Sequence, residues 1–145
     1  MKPLAELLDG SPVHCLPCTA SVLAAAREMA DKRIGAILVL DEQRRLAGIF
    51  TERDLMLRVI VAGRAPEGVR LVEVMTRELY TAGPEDRVSQ VAHELQSRHI
   101  RHCPVVKDGR IVGILSLRDL LRAHLQVKER EVQNLTDYIQ GSETR

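Results

Sequence analysis

The chain has no tryptophan, and its 145 residues include one phenylalanine and two tyrosines, Phe50, Tyr80 and Tyr138. Single-stranded nucleic acid is held largely by bases stacked on such rings, so that class of function is disfavoured. Charge of one sign is also missing. The 21 basic and 20 acidic residues leave a net charge of +1, which gives no surface-wide field for polyanions. The longest apolar runs fall far short of the about 20 residues that a membrane span needs. The opening Met1-Lys2-Pro3-Leu4 lacks the hydrophobic stretch of a secretory signal. The expectation is a cytoplasmic protein with neither membrane nor nucleic acid as partner. Three cysteines, an odd number, fit a reducing compartment better than a disulfide framework. Neither a P-loop nor Gly-x-Gly-x-x-Gly occurs, so NAD, if bound, is not held in the Rossmann manner. No Ser-His-Asp set or catalytic carboxylate pair stands out, and neither enzymatic activity nor a metal is expected.

What is present is a repeat. Gly48-Ile49-Phe50-Thr51-Glu52-Arg53-Asp54 returns further along the chain as Gly113-Ile114-Leu115-Ser116-Leu117-Arg118-Asp119. Each copy reads as the end of a buried strand running into a helix start. Thr51 and Ser116 suit the N-cap, and Asp54 and Asp119 occupy the third helical position. Hydroxyl-x-x-acid alone marks only a capping box. Its free amides and helix dipole nevertheless make such a start a natural anion site. Arg53 and Arg118 can pair with a phosphate, or point to solvent and meet a neighbouring acid.

The repeat extends beyond this signature. Leu4-Ala5-Glu6-Leu7-Leu8 corresponds to Leu71-Val72-Glu73-Val74-Met75, and Val13-His14-Cys15 to Leu79-Tyr80-Thr81. Val22, Met29, Ile34, Val39 and Leu40 match Val88, Leu95, Ile100, Val105 and Val106, all at one constant offset. Each unit reads strand, helix, strand, strand, helix. Val22, Ala25, Ala26 and Met29 recur at helical spacing, as do Val88, Val91, Ala92 and Leu95. The apolar run from Ile34 to Leu40, and its counterpart from Cys103 to Val106, suit strands covered on both faces. Helices are expected after Thr51, carrying Leu55, Met56, Val59 and Ile60, and after Ser116, carrying Leu117, Leu120, Leu121 and Leu125. The units are placed at residues 1–67, including a linker rich in Gly and Pro, and at residues 68–126. A helical tail at 127–145 carries Leu121, Leu125, Val132, Leu135 and Ile139 in a heptad-like seam. It is expected to pack on a partner subunit or on the body, or to fray.

This doubled unit, with Thr51-Glu52-Arg53-Asp54, Ser116-Leu117-Arg118-Asp119, the strand from Ile100 to Val106 and the linker ending Val74-Met75-Thr76, resembles the cystathionine β-synthase (CBS) domain pair. The resemblance covers about residues 4–125. It implies an α+β fold of tandem β-α-β-β-α repeats, packed sheet to sheet about a pseudo-two-fold axis, with a C-terminal helix appended. It further implies two clefts that take adenosine-containing ligands: AMP, ADP, ATP or NAD, with S-adenosylmethionine behind them. The acid would take the ribose hydroxyls, and the Thr or Ser would contact ribose or phosphate. One site would use Thr51, Asp54 and Arg53 with Val13, His14, Cys15, Ile34, Ala36 and Ile37. The other would use Ser116, Asp119 and Arg118 with Tyr80, Thr81, Ile100, Arg101, His102 and Pro104. An ionised Asp accepts two hydrogen bonds, which matches a vicinal diol. Arg101 and His102 stand where the first unit has Gly35 and Ala36, so the second cleft is expected to be the more basic and to favour the more highly charged nucleotide.

Cys15-Leu16-Pro17-Cys18, beside His14, is a single Cys-x-x-Cys and a weak redox or zinc signal, since its counterpart in the other unit lacks thiols. The functional expectation is a regulatory sensor that binds adenine nucleotide and acts on an unknown effector protein in trans, as a homodimer. The alternative is a ligand-free dimerisation adaptor, with a thiol redox or metal-binding protein behind both.

Overall fold

The computed structural model describes residues 2–143. Met1 and residues 144–145, at the ends of the expected first unit and tail, lie outside them. The fold is α+β and doubled, as expected. The first repeat holds β1 (Cys15–Pro17), α1 (Val22–Lys32), β2 (Ala36–Leu40), β3 (Leu46–Thr51) and α2 (Glu52–Asp54), which continues as a π-helical turn over Leu55–Ile60. The second holds α3 (Leu71–Val74), α4 (Val88–Ser97), β4 (His102–Lys107), β5 (Arg110–Ser116) and α5 (Leu117–Glu143).

Local chemistry explains the repeat's pieces. Ser21 caps α1 by accepting from the Ala24 amide at 3.0 Å, and Val22, Ala25 and Met29 put one face into the core. The second hairpin turns on Asp108 and Gly109, both at positive φ (51° and 76°), as a two-residue turn of primed type requires. The first is one residue longer, and its Asp41 carboxylate accepts from the Gln43 and Arg45 amides.

Each hairpin also carries a bulge just before its signature glycine. Val39 pairs Gly48 while Leu40 pairs Leu46, and Val105 pairs Gly113 while Val106 pairs Ile111. The extra residue turns Leu46 and Ile49, and likewise Ile111 and Ile114, to one common face. Those four side chains join Ala36, Leu38, Val13, Cys15 and Leu79 in a cluster where the sheets of the two repeats meet.

Two differences from expectation stand out. The first repeat has a three-stranded sheet, whereas in the second the strand expected at Leu79, Tyr80 and Thr81 is reduced to a single parallel bridge between Ala82 and Val105. The chain beyond that bridge makes the same bonds in both repeats: the carbonyls of Pro84 and Asp86 accept from the Ala5 and Leu4 amides, as those of Cys18 and Ala20 accept from the Val72 and Leu71 amides. After Asp54, moreover, the wider π turn buries Val59 but leaves Met56 and Ile60 more than half exposed, so the expected four-residue apolar face is not inward.

The ends of the repeats cross over. Leu4 is fully buried in the core of the second repeat, among Val91, Leu95, Cys103 and Leu120. Leu71 is fully buried in the core of the first, among Val22, Ile37, Phe50 and Val59. Leu8 packs on Gly113, and Met75 packs on Gly48. A side chain at either glycine would collide with these plugs, which is why both positions are bare.

The C-terminal helix is continuous to Glu143. Leu120 and Ala123 are buried on the body, whereas Leu125, Val132, Leu135, Tyr138 and Ile139 are more than half exposed. Of the heptad seam, the body of this chain therefore covers Leu121 and leaves the later residues largely exposed.

Candidate functional site

The crossover decides what surrounds each signature acid. Asp119 sits in the first turn of α5, where its carboxylate accepts from the Ser116 amide at 3.0 Å and its own amide donates to Ser116 Oγ at 3.0 Å. Among the described residues, this reciprocal cap leaves lone pairs of the carboxylate free of protein donors, and the side chain is exposed.

Asp119 lines a cleft of about 340 Å³. Leu7, Leu8, Asp9 and Val13 form one wall, ahead of β1. Val112, Gly113 and Ile114 of β5 form the floor, and Arg122, Ala123 and Gln126 of α5 complete the rim. Positions 119, 122, 123 and 126 share one helical face. The size, and the mixture of apolar and polar side chains, suit a small molecule with a flat apolar part and polar anchors.

Asp54 holds the same place in the first repeat and is 7% exposed. Its carboxylate accepts from the Thr51 amide at 3.0 Å and from Thr76 Oγ1 at 3.2 and 3.3 Å. Arg58 Nε lies 3.6 Å from it. The Arg58 Nη1 group also donates to the carbonyls of Val74 and Met75, at 3.1 and 3.2 Å.

The expected site residues scatter accordingly. Val13 lines the cleft of Asp119, not that of Asp54, because the segment before β1 packs across on the other repeat. Cys15 and Ala36 lie in the sheet-to-sheet cluster, while Ile34 packs on the first core and Ile37 is part of it. His14 Nδ1 is 3.5 Å from Glu28. Tyr80 is half-buried under the Arg98 guanidinium, 4.9 Å from its ring centroid. Thr81 is exposed, Ile100 packs on the second core and Pro104 is buried in β4. Arg53 and Arg118 are exposed.

Arg101 and His102 do not line the Asp119 cleft, so the expected source of its basic character is not there. Arg101 is exposed, and its carbonyl accepts from the Leu117 amide at 2.7 Å. Burial holds the His102 imidazole below its usual pKa, against the opposing pull of Asp119 and Glu52. The charged groups lining the cleft are instead Asp9, Asp119 and Arg122.

Sequence reasoning missed Leu7, Leu8, Asp9 and Arg122. Two signals pointed to them: the alignment of Leu8 with Met75, and the i, i+3, i+7 face from Asp119 to Gln126. Cys15 and Cys18 pack in different clusters, Cys15 between the sheets and Cys18 on the first core, so the Cys-x-x-Cys does not present a paired thiol site. Burial pushes the Cys15 thiol pKa up, away from a reactive thiolate. Among the described residues, no group of three or more His, Cys, Asp or Glu side chains is placed to hold a metal ion, and no helix is long and apolar enough to cross a membrane.

Comparison with known proteins agrees with the doubled architecture. The profile of the CBS domain matches twice, at residues 6–60 and 71–126. The mitochondrial CBS domain-containing protein CBSX3 of Arabidopsis thaliana is 37% identical over 145 residues, covering 97% of this chain and 70% of that protein. The crystal structure of the CBS domain protein NE2398 superposes with a TM-score of 0.79 at 30% identity, covering 86% of this chain and 99% of that one. The CBS domain pair of protein MJ0100, solved in complex with 5′-methylthioadenosine and S-adenosyl-L-methionine, gives 0.74 at 27% identity, covering 85% and 95%.

Proposed function

This chain belongs to the CBS-domain family, whose paired domains are in general regulatory modules rather than catalysts, and on that premise we propose that it is a sensor of an adenosine-containing ligand bound in the Asp119 cleft. One observation carries the reading: a carboxylate fixed at a helix mouth keeps acceptors free, and it opens into a cleft that mixes apolar side chains with polar ones.

The chemistry follows from that geometry. Two carboxylate oxygens match the two hydroxyls of a ribose, and a ligand without them would leave the acid without donors. Leu7, Leu8, Val13 and Ile114 supply flat apolar surface for an adenine ring. Ser116 and the α5 amides stand at the positive end of a long helix, where ribose or one phosphate can be met. Arg122 is one cation against two acids, Asp9 and Asp119. That balance favours AMP or NAD over ATP, and it admits S-adenosylmethionine. The ligand complex of the structural neighbour MJ0100 supports the class.

Binding would regulate by favouring one conformation or assembly over another. The output acts on another protein, in the cytoplasm, from a homodimer. Met56, Leu57, Ile60 and Val61, together with the uncovered seam of α5, offer apolar surface to a second copy.

A thermal-shift panel of AMP, ATP, NAD and S-adenosylmethionine tests the reading. A ligand at about a hundred times its Kd adds about 2.7 kcal/mol of stability, a rise of several degrees in Tm. The rise is expected for at least one of the four and is expected to fall to about half or less in Asp119→Ala. No shift with any of them would turn the reading to the adaptor, for which the exposed α5 seam is the supporting feature.

A further inference from the structure

The two signature acids differ in what faces them, and two residues account for the difference. Thr76 gives Asp54 a hydroxyl donor, and Arg58 sets a guanidinium 3.6 Å away while gripping the carbonyls of Val74 and Met75. The repeat shows what stands at these places in the other half. Leu8 takes the place of Met75 on its glycine, and the next residue along the chain is Asp9 in the one case and Thr76 in the other. Arg58 is matched by Ala123, at the same offset that separates Asp54 from Asp119. One half thus has a donor and a cation against its acid, whereas in the other Asp9 turns its carboxylate to the Ser11 amide and Ala123 has no polar group. The acid of that half lines the cleft.

We propose that the chain takes one adenosine ligand per protomer, at Asp119, and that Thr76 and Arg58 are the residues that withhold Asp54 from a ligand. The inference rests on reading the Asp119 cleft as the adenosine site. The Asp54 carboxylate is spent on protein donors: the Thr51 amide, the Thr76 hydroxyl and the nearby guanidinium. A ribose diol would have to displace donors of equal quality from a side chain that is 7% exposed. The π-helical turn contributes, since it carries Arg58 beside both Asp54 and the crossing segment. The same hydrogen bonds tie the closure to the plug, because the carbonyls that Arg58 holds belong to the segment that seats Met75 on Gly48.

Calorimetric titration of the full chain with AMP, and separately with NAD and S-adenosylmethionine, tests this. The expected wild-type stoichiometry is one per protomer. Asp54→Ala is expected to keep the affinity within about twofold, since Asp54 does not line the cleft. Asp119→Ala is expected to weaken it by about tenfold or more. Thr76→Ala combined with Arg58→Ala is expected to raise the stoichiometry to two.

A wild-type stoichiometry of two would overturn the proposal, as would a loss of about tenfold on Asp54→Ala. A folded double variant that still binds one ligand would do the same. If the double variant fails to fold, the wild-type stoichiometry and Asp54→Ala still decide. Absence of binding by the wild-type chain with all three probes would instead remove the reading of the cleft itself, and this inference with it.

Discussion

Asp54 and Asp119 sit at the same step of a duplicated unit and share the same reciprocal cap, to Thr51 and to Ser116. One is buried against a threonine and an arginine, and the other is exposed on a cleft. The local motif is therefore not what separates them. The separation comes from the segments that cross between the repeats: Met75 and Thr76 arrive at the first mouth, Leu8 and Asp9 at the second. A capping box fixes where a helix begins. Its neighbours in space, drawn from the opposite repeat, fix whether the acid is structural or available.

The comparison can be broken most severely at the plugs. Leu71→Ala and Leu4→Ala each empty a fully buried site, and each is expected to cost about 2–5 kcal/mol in urea denaturation. Similar losses would confirm that the crossing segments are equivalent. The signature glycines sharpen it next. A Cβ at Gly48 would stand 2.8 Å from both Met75 Sδ and the Thr76 carbonyl, whereas at Gly113 it would meet a flexible side chain, Leu8. Gly48→Ala is expected to cost about 1–3 kcal/mol and Gly113→Ala less, read from the same curves.

The acids come third. Asp54→Ala strands the Thr76 hydroxyl and leaves Arg58 without its acid, and is expected to cost about 1–2 kcal/mol. Asp119→Ala loses only an exposed cap and is expected to cost less, since such caps are worth about 1 kcal/mol. Equal losses would mean that the clasp on Asp54 contributes nothing.

His102 gives the smallest effect. Burial lowers its folded pKa below the unfolded value of about 6.5. The unfolded chain therefore binds the proton more readily, and this stability is present above that pH and is lost as pH falls below it. Tm measured from pH 7.5 to pH 5 is expected to fall less in His102→Gln than in the wild type. An unchanged slope would show that the imidazole carries no such penalty.

Much of this was legible in the chain. The nearly constant offset between matched segments gives the doubling, and apolar spacing gives α1, α4, β2 and β4. Two things were not, each for a physical reason. The pairing of Val13 with Asp119 depends on which repeat a segment packs against, and local pattern is blind to that. The outward turn of Met56 and Ile60 comes from a π-helical turn, which the ordinary helical period does not describe.

The exchange of plugs also changes what half of this molecule means. A break in the loop between the π turn and α3 would yield two fragments, each lacking the piece that seals its own interior and each carrying the piece the other needs. Neither would be self-sufficient, yet the two together would hold every part. The unit that was duplicated along the chain is therefore not the unit that can stand alone, and assembly of one repeat obliges assembly of the other.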